Sequence, residues 1–242
     1  MNTLGSSHVD RTVSPALVIR GRASTACHPS QVDAPRSNRD PAEVARKLAL
    51  LREPHVAPLT AYVERLRESR GGGEAVPWFD PTEAGVEARI LLLLEAPGPR
   101  AVGLGGPRPN ARGSGFISPD NNDQTAANMW TLLRDAGINR RREVVTWNIV
   151  PWYVGDGTRI RPANIRDVDE AAPAIHELLA LLPELQVVVL LGKWAARGWK
   201  RLGIDTLRVI EAPHPSPLSL NTTPGARDRL RDALVAAREM AS

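Results

Sequence analysis

The sequence predicts an α/β fold of three layers, α/β/α, with a central four-stranded parallel sheet, on three observations. Four short apolar runs, ARILLLLEA (88–96), EVVTWNIV (143–150), LQVVVLLG (185–192) and TLRVIEA (206–212), are largely free of polar alternation. Helical patterns near 123–136, 164–182 and 193–202 lie between them, and ARDRLRDALVAAREM closes the chain. Strands without alternation are buried on both faces, and strands interleaved with helices build a parallel sheet sandwiched by helices.

The elements follow in order. Residues 1–40 mix Ser, Pro, Arg, Ala and Asp without sustained periodicity and read as a flexible N-terminal arm. Arginines with few acids also suit a transit peptide, but a disordered tail is the reading preferred. The domain spans 41–242. Asp40 is the N-cap of a helix beginning PAEVARKLALL, with proline at the first helical position. A second helix, LTAYVERLRES, stops at Gly71–Gly73. In open parallel sheets the ligand lies beyond the carboxyl ends of the strands. Three unusual segments stand there: LEAPGP after the first strand, WNIVPW at the second and APHPSPLS after the fourth. A long loop, 100–123, follows the first strand; it is Gly-rich and carries three arginines, yet lacks the G-x-x-x-x-G-K-[ST] phosphate cradle.

Bulk properties narrow the class. The 242 residues suit one domain or one domain with a tail. Lys and Arg total 31 against 27 acids, a net charge of +4 that favours an acidic partner such as nucleic acid. Cys27, the single cysteine, excludes an internal disulfide and a cluster held by several thiolates, and points to a reducing, cytoplasmic setting. No apolar run approaches the roughly 20 residues of a membrane span, and no signal-peptide apolar region is read at the N-terminus.

EAPG, an Asn ending the second strand, and above all HPSPLS resemble the motifs of the uracil-DNA glycosylase superfamily, in order and spacing over residues 88–221. The resemblance implies hydrolysis of the N-glycosidic bond of deoxyuridine in DNA, leaving an abasic site, by a monomer acting on single- or double-stranded DNA without metal or organic cofactor. A base inside a duplex is unreachable, so such an enzyme extrudes the nucleotide into a pocket.

The resemblance assigns roles residue by residue. Asn148 reads the base, its amide oxygen accepting from uracil N3–H and its NH₂ donating to O4; the alternative is an Asn that satisfies a strand-end backbone group. Phe116 resembles the aromatic on which the flipped base stacks, preferred here over a core position. His214 donates to uracil O2 as charge develops on the leaving ring. Leu218 resembles the wedge that fills the vacated base stack, with Ser216, Pro217 and Ser219 beside it on the DNA. Ala96, Pro97 and Gly98 line the base site, with backbone groups there and Ser216 and Ser219 directed to phosphates. Arg100, Arg108 and Arg112, the NRRRE run at 139–143, and Lys193, Arg197, Lys200 and Arg201 flank the mouth.

The pattern departs from the best-known branch at two positions. Where that branch has a water-positioning aspartate and a tyrosine that excludes thymine, this chain has Ala96 and Gly98. Glu95 matches the acidic residue of the iron–sulfur branch, whose four cluster cysteines are missing. Asp120 matches the catalytic aspartate that another cysteine-poor branch carries shortly after the loop aromatic. Glu95 and Asp120 therefore stand as equal candidates for handling water, while Asp123 reads as the N-cap of QTAANMWTLL. Rival readings are a non-catalytic or trapping uracil-DNA binder, a glycosylase for another damaged base, and a small-molecule α/β hydrolase or nucleoside-binding domain. The last lacks a nucleophile elbow.

Overall fold

The computed structural model describes Met1 and residues 33–71, 75–102, 113–155 and 161–242. Most of the expected arm, with Cys27, and Arg108 and Arg112 of the long loop lie outside the described residues. In chain order the elements are α1 (Pro41–Ala49), α2 (Ala57–Ser69), β1 (Trp78–Phe79), β2 (Ile90–Leu94), β3 (Phe116–Ile117), α3 (Gln124–Asp135), α4 (Arg140–Glu143), β4 (Val144–Asn148), α5 (Ile165–Ala180), β5 (Val187–Leu191), α6 (Lys193–Leu202), β6 (Arg208–Ala212), α7 (Pro217–Thr222) and α8 (Ala226–Met240). Val32–Ser242 forms one compact unit.

Four parallel strands form the main sheet in the order β4-β2-β5-β6, with Leu94 level with Asn148 on one side and Leu190 level with Glu211 on the other. Alternate residues feed two cores, as a sheet covered on both faces requires. Leu91, Leu93, Val145, Trp147 and Val188 pack with Tyr62 of α2, Ile175 of α5 and Trp199 of α6. Ile90, Leu92, Val144, Val187 and Val189 pack with Leu132 and Leu133 of α3 and Leu230 and Leu234 of α8. The helices start where the sequence says they should: Asp40 accepts from Ala42 N at 2.9 Å and Asp123 from Ala126 N at 2.9 Å. No described helix is long and apolar enough to cross a membrane.

Three local features differ from the sequence expectation. β6 is an edge strand with Arg208, Val209 and Glu211 exposed, not a strand buried on both faces; charges along an open edge discourage pairing with another chain. β1 and β3 pair in parallel as a separate two-stranded sheet, too short to leave a periodic signature. Residues 33–40, read as the end of the arm, are held against the domain: Asn38 donates from its backbone to Asp120 O at 3.0 Å and from Nδ2 to Asn121 Oδ1 at 2.9 Å.

The other edge strand, β4, is wholly buried because residues 80–87 run along it. Ala84 N donates to Val144 O at 2.9 Å, and Thr146 N donates to the Glu83 carboxyl at 2.8 Å. A side chain thus satisfies a backbone donor that would otherwise be orphaned in the interior.

Candidate active site

The connections from β2 and β5 leave toward opposite edges of the sheet, so a crevice opens beyond the strand ends at this switch point. A cavity of about 630 Å³ lies there, within the range that binds small ligands. Leu94 to Ala101 after β2, Asn148 at the end of β4, Trp194 at the start of α6 and His214 after β6 all reach it. Ile117 to Pro119, Asn121, Asp123 and α3 form another wall, and Thr146, Arg161 and Pro162 line it as well.

Asn148 is 2 % exposed and its Nδ2 has no hydrogen-bond partner among the described residues, although it lines the cavity. An unsatisfied buried donor costs about 1–3 kcal/mol.

His214 has one defined tautomer. Ser216 N–H donates to His214 Nδ1 at 3.1 Å, and a backbone amide can only donate, so the neutral ring carries its proton on Nε2. Burial holds the imidazole down to about 4, which makes it neutral at pH 7. The loop around it is fastened from two sides. Asn128 of α3 donates through Nδ2 to Pro215 O at 2.9 Å, while its own Oδ1 accepts from Gln124 Nε2 at 3.1 Å and Arg227 Nη2 at 3.3 Å. Gly192, at φ 96°, lies beneath the ring; a Cβ there would stand 3.0 Å from His214 Cβ. Gly192→Ala is therefore expected to lower stability by about 1–2 kcal/mol and to displace the imidazole. Denaturant unfolding and activity measured on the same preparation check both parts.

The structure separates the two carboxylate candidates. Glu95 lines the cavity at the end of β2, with Oε1 fixed by the backbone N–H of Ala163 at 2.8 Å. Asp120 is 1 % exposed and does not line the cavity; Lys47 Nζ meets its Oδ2 at 2.8 Å and Arg140 Nη2 its Oδ1 at 2.7 Å. Both Asp120 oxygens are thus engaged in a buried ion network, away from the cavity lining. Asp123 lines the cavity as well, its carboxyl raised by burial while it caps α3.

Phe116 is also corrected. Its side chain is fully buried and does not line the cavity, whereas the next residue, Ile117, does. Alternation along β3 sends the two side chains to opposite sides. Ala96, Pro97 and Gly98 line the cavity, and a Cβ on Gly98 would meet nothing within 4 Å. Ser216 spends its Oγ as the N-cap of α7, accepting from Ser219 N at 3.3 Å. Pro217 opens that helix, and Leu218, next along it, is 74 % exposed.

Of the basic groups, Arg140 is buried and Arg201 pairs with Asp169 at 2.7 Å. Arg161, not singled out from sequence, lines the cavity and grips Asp167 through two bonds of 2.6 and 2.7 Å. Among the described residues no three His, Cys, Asp or Glu side chains are grouped to hold a metal ion.

Sequence reasoning missed Asn128, Thr146 and the buried charges. Lys47 Nζ bridges Asp80 at 2.6 Å and Asp120 at 2.8 Å, all three nearly inaccessible. Burial opposes ionisation of Asp80, but the charges of Lys47 and Arg140 overcome it and hold the carboxyl far below the usual carboxylate range. Ser118, a cavity residue, donates to the same Asp80 Oδ2. The network thus clamps the wall segment 117–123 to α1 and α4. A buried Asn on the apolar face of α3 is a readable signal; the network's partners, 33 and 73 residues apart, leave none.

No curated protein sequence matches the chain. Among solved structures, a mimivirus UNG variant in complex with UGI aligns at 14 % identity over 74 % of this chain and 70 % of that one, with a TM-score of 0.37. A family profile described as UDG, the uracil DNA glycosylase superfamily, matches residues 81–237, from the segment that covers β4 to the last helix. That span takes in every strand of the main sheet and every described wall of the cavity, and the chain belongs to the uracil DNA glycosylase superfamily.

Proposed function

We propose that the protein is a monofunctional DNA glycosylase that hydrolyses the N-glycosidic bond of deoxyuridine in DNA, releasing uracil and leaving an abasic site. The observation that carries this reading is the pairing, in one cavity, of an unpartnered buried amide nitrogen on Asn148 with a neutral imidazole protonated on Nε2. Asn148 Nδ2 donates to uracil O4 and its Oδ1 accepts from N3–H. Cytosine presents the opposite groups at both atoms and leaves the amide mismatched.

As the glycosidic bond lengthens, negative charge gathers on the uracil ring and the sugar becomes cationic. His214 Nε2–H meets that charge at O2, a bond that strengthens as the base departs. Glu95 stabilises the cation and orients the water that captures it. No lysine lines the cavity among the described residues, so water and not an amine attacks the sugar. Ile117 takes the apolar wall expected of Phe116. Leu218, held out on α7 beyond the cavity mouth, enters the base stack when the nucleotide leaves it.

The test is release of free uracil from single- and double-stranded oligonucleotides. Asn148→Ala is expected to lower kcat/KM by about 10- to 100-fold, the loss of one to two matched hydrogen bonds. Glu95→Gln is expected to lower kcat while leaving binding intact. Stoichiometric binding of uracil-DNA by the wild type with no free base released would show a trapping protein instead. The open space at Gly98 supports a second reading, a wider range of excised bases that includes 5-substituted pyrimidines, which a substrate panel decides.

A further inference from the structure

Thr146 lines the same cavity two residues before Asn148, on the same face of β4, and is 4 % exposed. Both of its hydrogen-bonding groups face one side chain. Its N–H donates to Glu83 Oε2 at 2.8 Å, and its Oγ1 lies 2.7 Å from Glu83 Oε1. Glu83 is 1 % exposed. The Oγ1–Oε1 bond holds a single proton and can run in either direction. With Glu83 as a carboxylate, Thr146 must donate to it and shows the cavity only lone pairs. With Glu83 as a carboxylic acid, Oε1–H donates to Oγ1, and the threonine proton is free to point into the cavity.

We propose that Thr146 is a second base-reading residue, its hydroxyl proton turned into the cavity by the buried Glu83 acid, and that this proton selects a ring carbonyl over a ring amine. Glu83 acts through Thr146 and is a positioning residue. The inference rests on the base-excision reading above. With Asn148 Nδ2 as one donor and Thr146 Oγ1–H as a second on the same strand face, uracil O4 has a partner for each lone pair. The amino group of cytosine is opposed by both.

The surroundings of Glu83 favour the acid. Burial and the charge of Asp80 push its carboxyl up to about 8, against the hydrogen bonds of Thr146 and the charge of Arg140. Behind these, Lys47 pairs with Asp80 and Asp120 and Arg140 pairs with Asp120, so both cations of the network are bonded to aspartates and neither to Glu83. Above pH 8 Glu83 ionises, recaptures the threonine proton and removes the donor.

The experiment measures kcat/KM for uracil release across pH 6–10 for wild type, Thr146→Val and Glu83→Gln, with binding of 2′-fluoro-deoxyuridine and 2′-fluoro-deoxycytidine oligonucleotides as a second readout. Wild type is expected to lose activity as pH rises through about 8. Thr146→Val, of the same shape without the hydroxyl, is expected to lose about tenfold in kcat/KM at pH 7, with a matching loss of preference for the uracil analogue. Glu83→Gln keeps a permanent N–H donor toward Oγ1 and an oxygen for Thr146 N–H. The fall near pH 8 is expected to vanish in it, which a merely structural carboxyl would not produce. An alkaline fall that persists in Glu83→Gln, or a Thr146→Val protein with the wild-type preference, overturns the inference while leaving uracil excision intact. A wild type that neither releases uracil nor binds the uracil analogue overturns both.

Discussion

His214→Ala is expected to lower kcat for uracil release by about 10²–10³-fold, the cost of one preorganised donor aimed at developing negative charge. The effect should fall on kcat more than on DNA binding, because the donor strengthens its bond only as the base departs. The tautomer adds a pH signature. Ser216 N–H occupies Nδ1, so protonating the ring sets two donors against each other, and burial opposes the charge as well. Activity should stay level as pH falls through 6.5, where an ordinary histidine titrates, and fail only toward about 4. Stability carries the same sign. Between pH 6.5 and 4 the unfolded chain takes up a proton that the folded one refuses, so stability falls as the pH is lowered through that window. Single-turnover release rates over pH 4–8 check the first expectation. A rate that halves near 6.5 would contradict the neutral imidazole.

Lys47→Met is expected to destabilise the protein by about 3–5 kcal/mol, since it removes the buried ammonium paired with both Asp80 and Asp120 and leaves, among the described residues, only the Asp120–Arg140 ion pair between them. For a chain of this length that corresponds to a loss of roughly 10 °C in Tm. Adding Asp80→Asn should recover much of the loss, because the charge left unpaired is then removed and a single Asp120–Arg140 pair remains. Urea unfolding of the single and double variants measures the coupling; a double variant no more stable than the single one would show that packing of the lysine stem, and not its charge, was lost. A functional consequence is expected too. The network grips Ser118 and the segment that walls the cavity, so conditions that weaken it should raise KM before they unfold the chain.

Much of this protein is local and was legible in the sequence. Apolar runs without alternation became β2, β4 and β5, since a strand covered on both faces has no polar side to show. Asp40, Asp123 and the proline at position 41 marked helix starts through bonds made within three residues. HPSPLS and EAPG placed His214 and Glu95 at the strand ends, because a chain that must turn sharply beside a ligand uses prolines and glycine to do so. β6 differs because its composition resembles the other strands, while its place at the sheet edge, which composition does not encode, leaves three of its five residues exposed.

The placement of Asp120, Phe116, Glu83 and Thr146 depends on the tertiary structure. Asp120 and Glu95 look alike in sequence, as acids near motif residues. Lys47, 73 residues away, and Arg140, 20 residues on, fold onto the first and make it a buried brace. Phe116 and Ile117 are adjacent apolar residues, and the half-turn between neighbours on a two-residue strand gave the cavity to the isoleucine. Glu83 is an ordinary surface residue by type, and becomes a buried acid because β4 needed its outer edge covered. What the sequence by itself determined was periodicity, caps and turns, which depend on residues a few positions apart. What the tertiary structure decided was charge state and direction, because solvation, and the partner that replaces water, are set by residues far apart in the chain.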